Sequence, residues 1–433
     1  MVTRRAALRA GVILPLLGAC APDVLLGDRN KVRIAVPWSG FERQAFDAVV
    51  HRTHGSSELS EVQVIPLGDD IDTAFAARGS SAPEIVMLAP VGRIRELLDD
   101  RYRLQTMDTS LWQDADGQRY SPQWPSLVGR GSALYGVPFK LSLKSLIWYD
   151  RQTFDERGLP DPSTWPVSEW PQGMAKLAST SVRLLAFGAA DGFVITDFFE
   201  NVLLAASPDV YAELENATGD RKWDRSETKT TLHQLGELWG HPAAFPGGAA
   251  VAMTRQFPDA IREVFEHRRA AMVVAPDFAE SVVRRCLSDA RRGSEVVGIA
   301  RFPPLYPGGP QSMIAGADVM VLTERAGKEA RQWLAALAAP QAPEVWIDEY
   351  GGFLSPNRHT LHRTSKLLES FASDLDSWSR FDLSDRISWG IGRLGLQRTL
   401  ADFLVDVAGG KQLDDAVADT LTSLIELERR RPR

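Results

Sequence analysis

The sequence predicts an α/β protein of two lobes, and three observations carry that expectation. β-Branched runs alternate with helically spaced apolar residues over 31–98, and a second alternating set fills 183–275. A segment dense in Pro and Gly, Phe302-Pro303-Pro304-Leu305-Tyr306-Pro307-Gly308-Gly309-Pro310, then suits a connection between lobes rather than the interior of an element.

Taken in order, Val32-Arg33-Ile34-Ala35-Val36 is a strand ending in Pro37-Trp38-Ser39-Gly40, and Phe41, Ala45, Phe46, Val49 and Val50 recur at helical spacing after it. Val62 to Leu67 is a second strand, Ile71 to Ala77 a helix, Glu84 to Pro90 a third strand, and Arg93 to Leu98 a further helix. This β-α-β-α-β order calls for a parallel sheet, and in such sheets ligands sit beyond the carboxyl ends of the strands, here the loops at Trp38, Asp69 and Pro90. Ala133 to Ser142 and Leu146 to Asp150 read as two closely following strands with no crossover helix between them. The second set has strands at Arg183 to Phe187 and Ala270 to Ala275, with helices around Val194 to Ala206, Leu232 to Trp239 and Ala260 to His267. Val296 to Ala300 leads into the Pro/Gly segment; a strand at Asp318 to Leu322, a helix at Lys328 to Leu337 and a mainly helical tail from Arg363 follow.

Residues 1–20, MVTRRAALRAGVILPLLGAC, join a basic start (Arg4, Arg5, Arg9) to an apolar stretch too short for a permanent membrane span, the pattern of an export signal. Its end, Leu17-Gly18-Ala19-Cys20, resembles the bacterial lipobox, which implies lipidation of Cys20 and cleavage before it. Thr3-Arg4-Arg5-Ala6-Ala7-Leu8 looks like a twin-arginine signal with Ala where Phe often stands, so the Sec route also stays open. Residues 1–19 are thus expected as signal peptide and 20–30 as a lipidated tether. Losing three arginines and no acid takes the formal charge from -7 to -10.

That acidity argues against a nucleic-acid partner, whose affinity would rest on neutralising phosphates. Two cysteines, Cys20 and Cys286, build neither a disulfide scaffold nor a thiolate zinc site, and with Cys20 acylated Cys286 is expected to be a small buried hydrophobe. No Walker lysine motif, nucleophile elbow or metal framework is present, so no cofactor, no metal and no catalytic residue is assigned. The pairs His51/His54 and His359/His362 lack metalloprotease spacing and read as surface histidines. Gly390-Ile391-Gly392-Arg393-Leu394-Gly395 satisfies the dinucleotide pattern without room for its strand-helix-strand unit.

Ala133 to Phe139 with Trp148-Tyr149-Asp150, Gly158-Leu159-Pro160-Asp161-Pro162-Ser163-Thr164-Trp165, Arg269 to Val274, Gly298 to Pro303, Ala330 to Leu337 and Gly351-Gly352-Phe353-Leu354-Ser355-Pro356-Asn357 occur in an order that resembles extracellular solute-binding proteins of family 1. The closing amphipathic stretch Leu413 to Ile425 continues the match, which runs from about residue 31 to the end. The chain departs from the family's pattern at Ala275-Pro276-Asp277-Phe278, where Gly-x-Trp is common, and at Ala315-Gly316-Ala317-Asp318, where Gly-Gly is usual.

The resemblance implies a type II periplasmic-binding-protein-like fold with C-terminal helices and no enzymatic activity. It implies a carbohydrate-type receptor that hands a small solute, a mono- or oligosaccharide, to ABC permease subunits while held to the membrane by its lipid. Lobe one is expected from 31–137 with 311–345, and lobe two from 138–305 with 346–433. An exported glycan hydrolase, supported by abundant carboxylates and tryptophans, and a receptor for a non-sugar solute are the rival readings.

For a solute cleft the candidates are Trp38, Ser39 and Glu42 after the first strand, Asp69 and Asp70 after the second, and Pro90 after the third. Lys140 and Ser142 on the lobe crossing either face the cleft or pair locally. Asp191 and Phe193 open a helix whose free N–H groups donate to a ligand or are capped by Asp191. Asp277, Phe278, Gly316 and Ala317 complete the set. Trp38 and Phe278 are expected to give apolar faces while Asp70 and Asp277 accept from hydroxyls. Trp148, inside a strand, and Trp333, on a helix with Leu334 and Leu337, are expected in the core.

Overall fold

The computed structural model describes residues 31–55, 58–99, 104–215, 222–311, 313–387 and 392–429. Two sheets organise it. The strands are β1 (Lys31–Val36), β2 (Glu61–Pro66), β3 (Ile85–Leu88), the two-residue hairpins β4 (Gln113–Asp114) with β5 (Gly117–Gln118) and β6 (Gly129–Arg130) with β7 (Ala133–Leu134), then β8 (Val137–Leu143), β9 (Leu146–Asp150), β10 (Arg183–Ala186), β11 (Ala270–Val274), β12 (Val297–Arg301), β13 (Ile314–Leu322) and β14 (Arg380–Phe381). The first sheet runs β14-β13-β3-β1-β2, with β8 also paired to β13; the second runs β10-β11-β9-β12.

β1 is parallel to β2 and β3, as the alternation required. Val32, Ile34 and Val36 are buried beside Ala35, while β2 closes the sheet's edge with half-buried residues. β13 returns antiparallel against both β3 and β8. In the second sheet β10 and β11 are parallel and β9 is antiparallel to β11 and β12. The helix expected over Ile71 to Ala77 is instead a 3-10 turn, Gly68–Asp72, followed by one helical turn, Thr73–Ala76.

The β8 pairing moves the boundary that the sequence placed at 137/138. Backbone bonds along β13 hold Val137–Leu143 in the first sheet, so the chain changes sheets at Lys144 and Ser145. The stretch from 346 also divides. Trp346 packs on Trp38, Phe353 packs on Phe139 and β14 pairs with β13, whereas helices Gly392–Ala408 and Leu413–Arg429 pack on Gly192–Ala206 and Ser226–Trp239 beside the second sheet.

Trp148 and Trp333 are fully buried, their indoles donating to Ala275 and Pro276 oxygens and to Ser60 oxygen. Cys286 is buried and unpaired, and burial pushes its thiol up to about 12, so it behaves as the small hydrophobe expected. The Gly-x-Gly-x-x-Gly stretch lies partly outside the described residues. Its described part opens the helix Gly392–Ala408, and the strand before it is the two-residue β14. No helix of the described residues is long and apolar enough to cross a membrane. Cys20 and the expected signal and tether lie outside them.

Candidate solute-binding cleft

A cavity of about 300 Å³ opens between the two sheets, and the rule about carboxyl ends finds it from both sides. Pro37, Trp38 and Ser39 follow β1, Gly68 follows β2 and Ala89 follows β3; Ala190 to Phe193 come after β10 and Phe278 after β11. β8 and β13 cross its floor with Lys140, Ser142, Ala317 and Asp318. The floor follows from the period of two: Lys140, Ser142 and Lys144 share one face of the chain, while Leu141 and Leu143 are wholly buried on the other.

Nine of the expected residues line this cavity: Trp38, Ser39, Glu42, Lys140, Ser142, Asp191, Phe193, Phe278 and Ala317. Trp38 is nevertheless mostly core. It is 4% exposed, boxed by Phe46, Trp346 and Phe139 at ring distances of 5.0, 5.2 and 5.8 Å, and its indole donates to Asp318 Oδ2 at 3.1 Å. The more open aromatic face comes from the half-buried Phe193 and Phe278, 5.9 Å apart and each packed on Phe257.

Four expectations fall elsewhere. Asp277 is not at the cavity but entirely buried, its Oδ1 accepting from Leu143 N at 2.6 Å while its own N donates to Leu143 O; it pins the end of β8. Gly316 lies beneath Lys144, where a Cβ would stand 2.7 Å from that side chain's Cε. Asp70 is exposed on the 3-10 turn and Pro90 accepts from Arg93 N ahead of the next helix, because at both strand ends the chain turns one or two residues earlier, at Gly68 and Ala89. Gly68 makes that turn at φ +56°, a conformation glycine adopts freely. The Asp69 side chain lies outside the described residues. Asp191 does not cap its own helix either: its Oδ2 accepts from Phe257 N at 2.5 Å, tying two elements of the wall together.

Sequence reasoning missed Lys144, Asp318 and Asp385. Lys144 continues the period from Lys140 and Ser142, and Asp318 stands two places beyond Gly316, directly across from Lys140 at the edge of a bulge. Asp385 carried no comparable signal, since the chain returns to this spot after more than two hundred residues.

The two lysines are buried and fully engaged. Lys140 Nζ bonds Glu42 Oε1 and lies 4.9 Å from the Phe278 ring centre; burial opposes its charge, yet Glu42, Asp318 and Asp277 together raise its affinity for the proton. Lys144 Nζ bonds Asp382 and sits 3.4 Å from Asp197 and 3.6 Å from Asp385, which hold it above the usual lysine range despite burial. Burial lifts Asp318 to about 6, against the pull of Lys140 and the Trp38 indole, and lifts Asp277 to about 8. The floor thus consists of neutralised ion pairs with carboxylates in excess.

Elsewhere, His359, half-buried, has Nδ1 at 3.2 Å from Asp114, which Arg119 also holds at 2.8 Å. With the exposed Asp116 these groups come close, but Asp114 is already neutralised, so the cluster reads as an ion-pair network.

No family model matches the chain. It is 25% identical over 422 residues to the alpha-glucosides-binding periplasmic protein AglE of Rhizobium meliloti (strain 1021), covering 88% of this chain and 84% of that protein. It is 25% identical over 440 residues to the osmoprotective compounds-binding protein GgtB of Synechocystis sp. (strain ATCC 27184 / PCC 6803 / Kazusa), covering 98% of both. Its fold matches the GacH receptor of Streptomyces glaucescens GLA.O, solved unliganded and with acarbose, at a TM-score of 0.70 and 17% identity over 93% of this chain and 99% of that one. With two sheets facing a shared cleft and relatives that are binding proteins along most of the chain, this is a two-lobed, non-enzymatic solute-binding protein.

Proposed function

We propose that the solute is a carbohydrate, a mono- or oligosaccharide, captured between the sheets and handed to ABC permease subunits. One observation carries the reading: the cavity sets the Phe193 and Phe278 rings on one side against a floor and rim of hydrogen-bonding groups, Ser39, Glu42, Ser142 and Asp318, on the other. A sugar offers the matching pair of surfaces, C–H faces for rings and hydroxyls for carboxylates and hydroxyls. The alpha-glucoside and acarbose receptors among the similar proteins support it. The hydrolase reading has no support there, because the relatives are receptors.

We further propose export and anchoring through a lipidated Cys20, on the strength of Leu17-Gly18-Ala19-Cys20 and the basic start. Two acyl chains on one diacylglyceryl group suffice for stable attachment. Fatty-acid labelling of the full chain but not of Cys20→Ala is the expected result; equal labelling sinks it.

Thermal-shift screening against neutral sugars, polyols and amino acids tests the ligand class. A true ligand at 100 times its dissociation constant adds about 2.7 kcal/mol and raises the melting point. Stabilisation by polyols or amino acids, with none by sugars, would transfer the assignment to a non-sugar solute.

A further inference from the structure

The charged groups of the cleft are out of balance in one direction. Four carboxylates line it, Glu42, Asp191, Asp318 and Asp385, against two ammonium groups, Lys140 and Lys144. Neither ammonium is available to a ligand: Lys140 is 1% exposed and bonded to Glu42, and Lys144 is held by Asp382 with Asp197 and Asp385 around it. The helix Gly192–Ala206 starts at the cavity, an end that favours anions, but Asp191 at its N-cap position, bonded to Phe257 N, sets a negative charge beside that end. Asp318 is different from the others. It is 7% exposed, Trp38 takes only its Oδ2, and Oδ1 has no partner among the described residues while the residue lines the cavity. That oxygen is left to accept a donor from the ligand. A charged donor gains more there, because charge-assisted bonds are roughly twice as strong as neutral ones.

We propose that Asp318, backed by Glu42 and Asp385, makes the cleft a charge filter that takes neutral and amino-bearing sugars and rejects acidic ones. The inference rests on the carbohydrate reading and sharpens it to a substrate class. A carboxylate or phosphate on the solute meets a surplus of carboxylates and, among the described lining residues, no free cation, so it loses its hydration with nothing in return. A protonated amino group finds Asp318 Oδ1 in a cavity that also holds two half-buried phenyl rings. Protonation of Asp318, which faces Lys140, Glu42 and Lys144 together with the Trp38 indole, weakens the filter as the pH falls below about 6.

The test compares three compounds on one frame, glucose, glucosamine and glucuronate, with the disaccharides that carry the same groups, by titration calorimetry on the full chain at pH 7.5. Glucosamine or its disaccharide is expected to bind at least tenfold tighter than the acidic counterpart, about 1.4 kcal/mol. In Asp318→Asn, which keeps an acceptor for Trp38, that ratio is expected to collapse several-fold, read as a ratio within the variant whatever its absolute affinity for the neutral sugar. A ratio below tenfold in the parent, or one unchanged in Asp318→Asn, overturns the filter and leaves the carbohydrate reading standing. If no member of the series binds, including the neutral ones, the carbohydrate reading falls and the filter with it. Should Asp318→Asn fail to fold, salt dependence decides: raising salt from 20 to 500 mM weakens the amino sugar and spares the neutral one if the filter is electrostatic, and affects both equally if it is not.

Discussion

Trp38 and Phe278 were expected to play matching parts from opposite lobes, and the structure separates them. Trp38 follows a strand end, so a cleft position was legible, but its burial among Phe46, Phe139 and Trp346 comes from residues up to three hundred places away. Trp38→Ala should therefore cost about 3–5 kcal/mol in urea unfolding, as large buried aromatics do, instead of leaving the fold intact. Phe278→Ala should cost about 2 kcal/mol or less of stability and weaken sugar binding by one to a few kcal/mol, since its ring is half-buried and lines the cavity. Equal loss of stability in the two variants would contradict this division. Lys140 makes the same point for charge. Lys140→Met leaves Glu42, Asp318 and Asp277 facing one another in a buried site, so about 3–5 kcal/mol of destabilisation is expected, the usual result of removing one partner of a buried pair. A variant as stable as the parent would show that the site is solvated.

At the scale of elements, what the sequence revealed best was what is local and periodic. The strands β1, β2, β3, β9, β10 and β11, and the helices Gly192–Ala206 and Lys328–Leu337, stand where runs and spacing put them. The side on which β8 pairs was not legible, because a strand buried on both faces reads the same in either sheet. Only backbone bonds to β13, about 180 residues on, decide it. The Gly351-Gly352 pair shows a motif whose reason appears only in three dimensions. Gly352 sits at φ +66°, its N donates to Glu280 Oε2 at 2.8 Å, and a Cβ there would stand 2.8 Å from Phe278 Cα. The loop thus buttresses the turn that presents Phe278 to the cavity. Gly352→Ala pays for left-handed backbone and for the clash, so a loss of about 1–3 kcal/mol is expected together with weaker sugar binding. Calorimetry and unfolding on the same sample check both; lost stability with unchanged affinity would mean that Phe278 is placed without this support.

For the whole molecule, the segments that bring Asp277, Asp197, Asp382 and Asp385 against Lys140 and Lys144 come from distant parts of the chain, which is why no sequence pattern announced them. They also set how stability responds to pH. Burial lifts Asp318 to about 6, Asp197 to about 7 and Asp277 to about 8, each against the pull of a lysine, and lifts Glu200 well above its usual range. An acid whose folded value is raised binds protons more tightly when folded, so its contribution is complete below about 4 and is lost as pH rises toward the folded value. Asp382 runs the other way: Lys144, Ser384 and Asp385 N outweigh its burial and lower it, so its contribution is lost only as pH falls below the usual carboxylate range. The melting temperature should accordingly be highest in mildly acidic solution and decline from about pH 5 to pH 8. Asp277→Asn isolates one part of that slope, because the amide keeps an oxygen for Leu143 N and cannot ionise. Its melting temperature should fall less than the parent's between pH 6 and 8, so that the variant gains on the parent as pH rises. Scanning calorimetry of both proteins over pH 4–9 decides it: parallel curves would show that Asp277 ionises in the folded protein as it does in the unfolded chain, and that its burial exerts no hold on the proton.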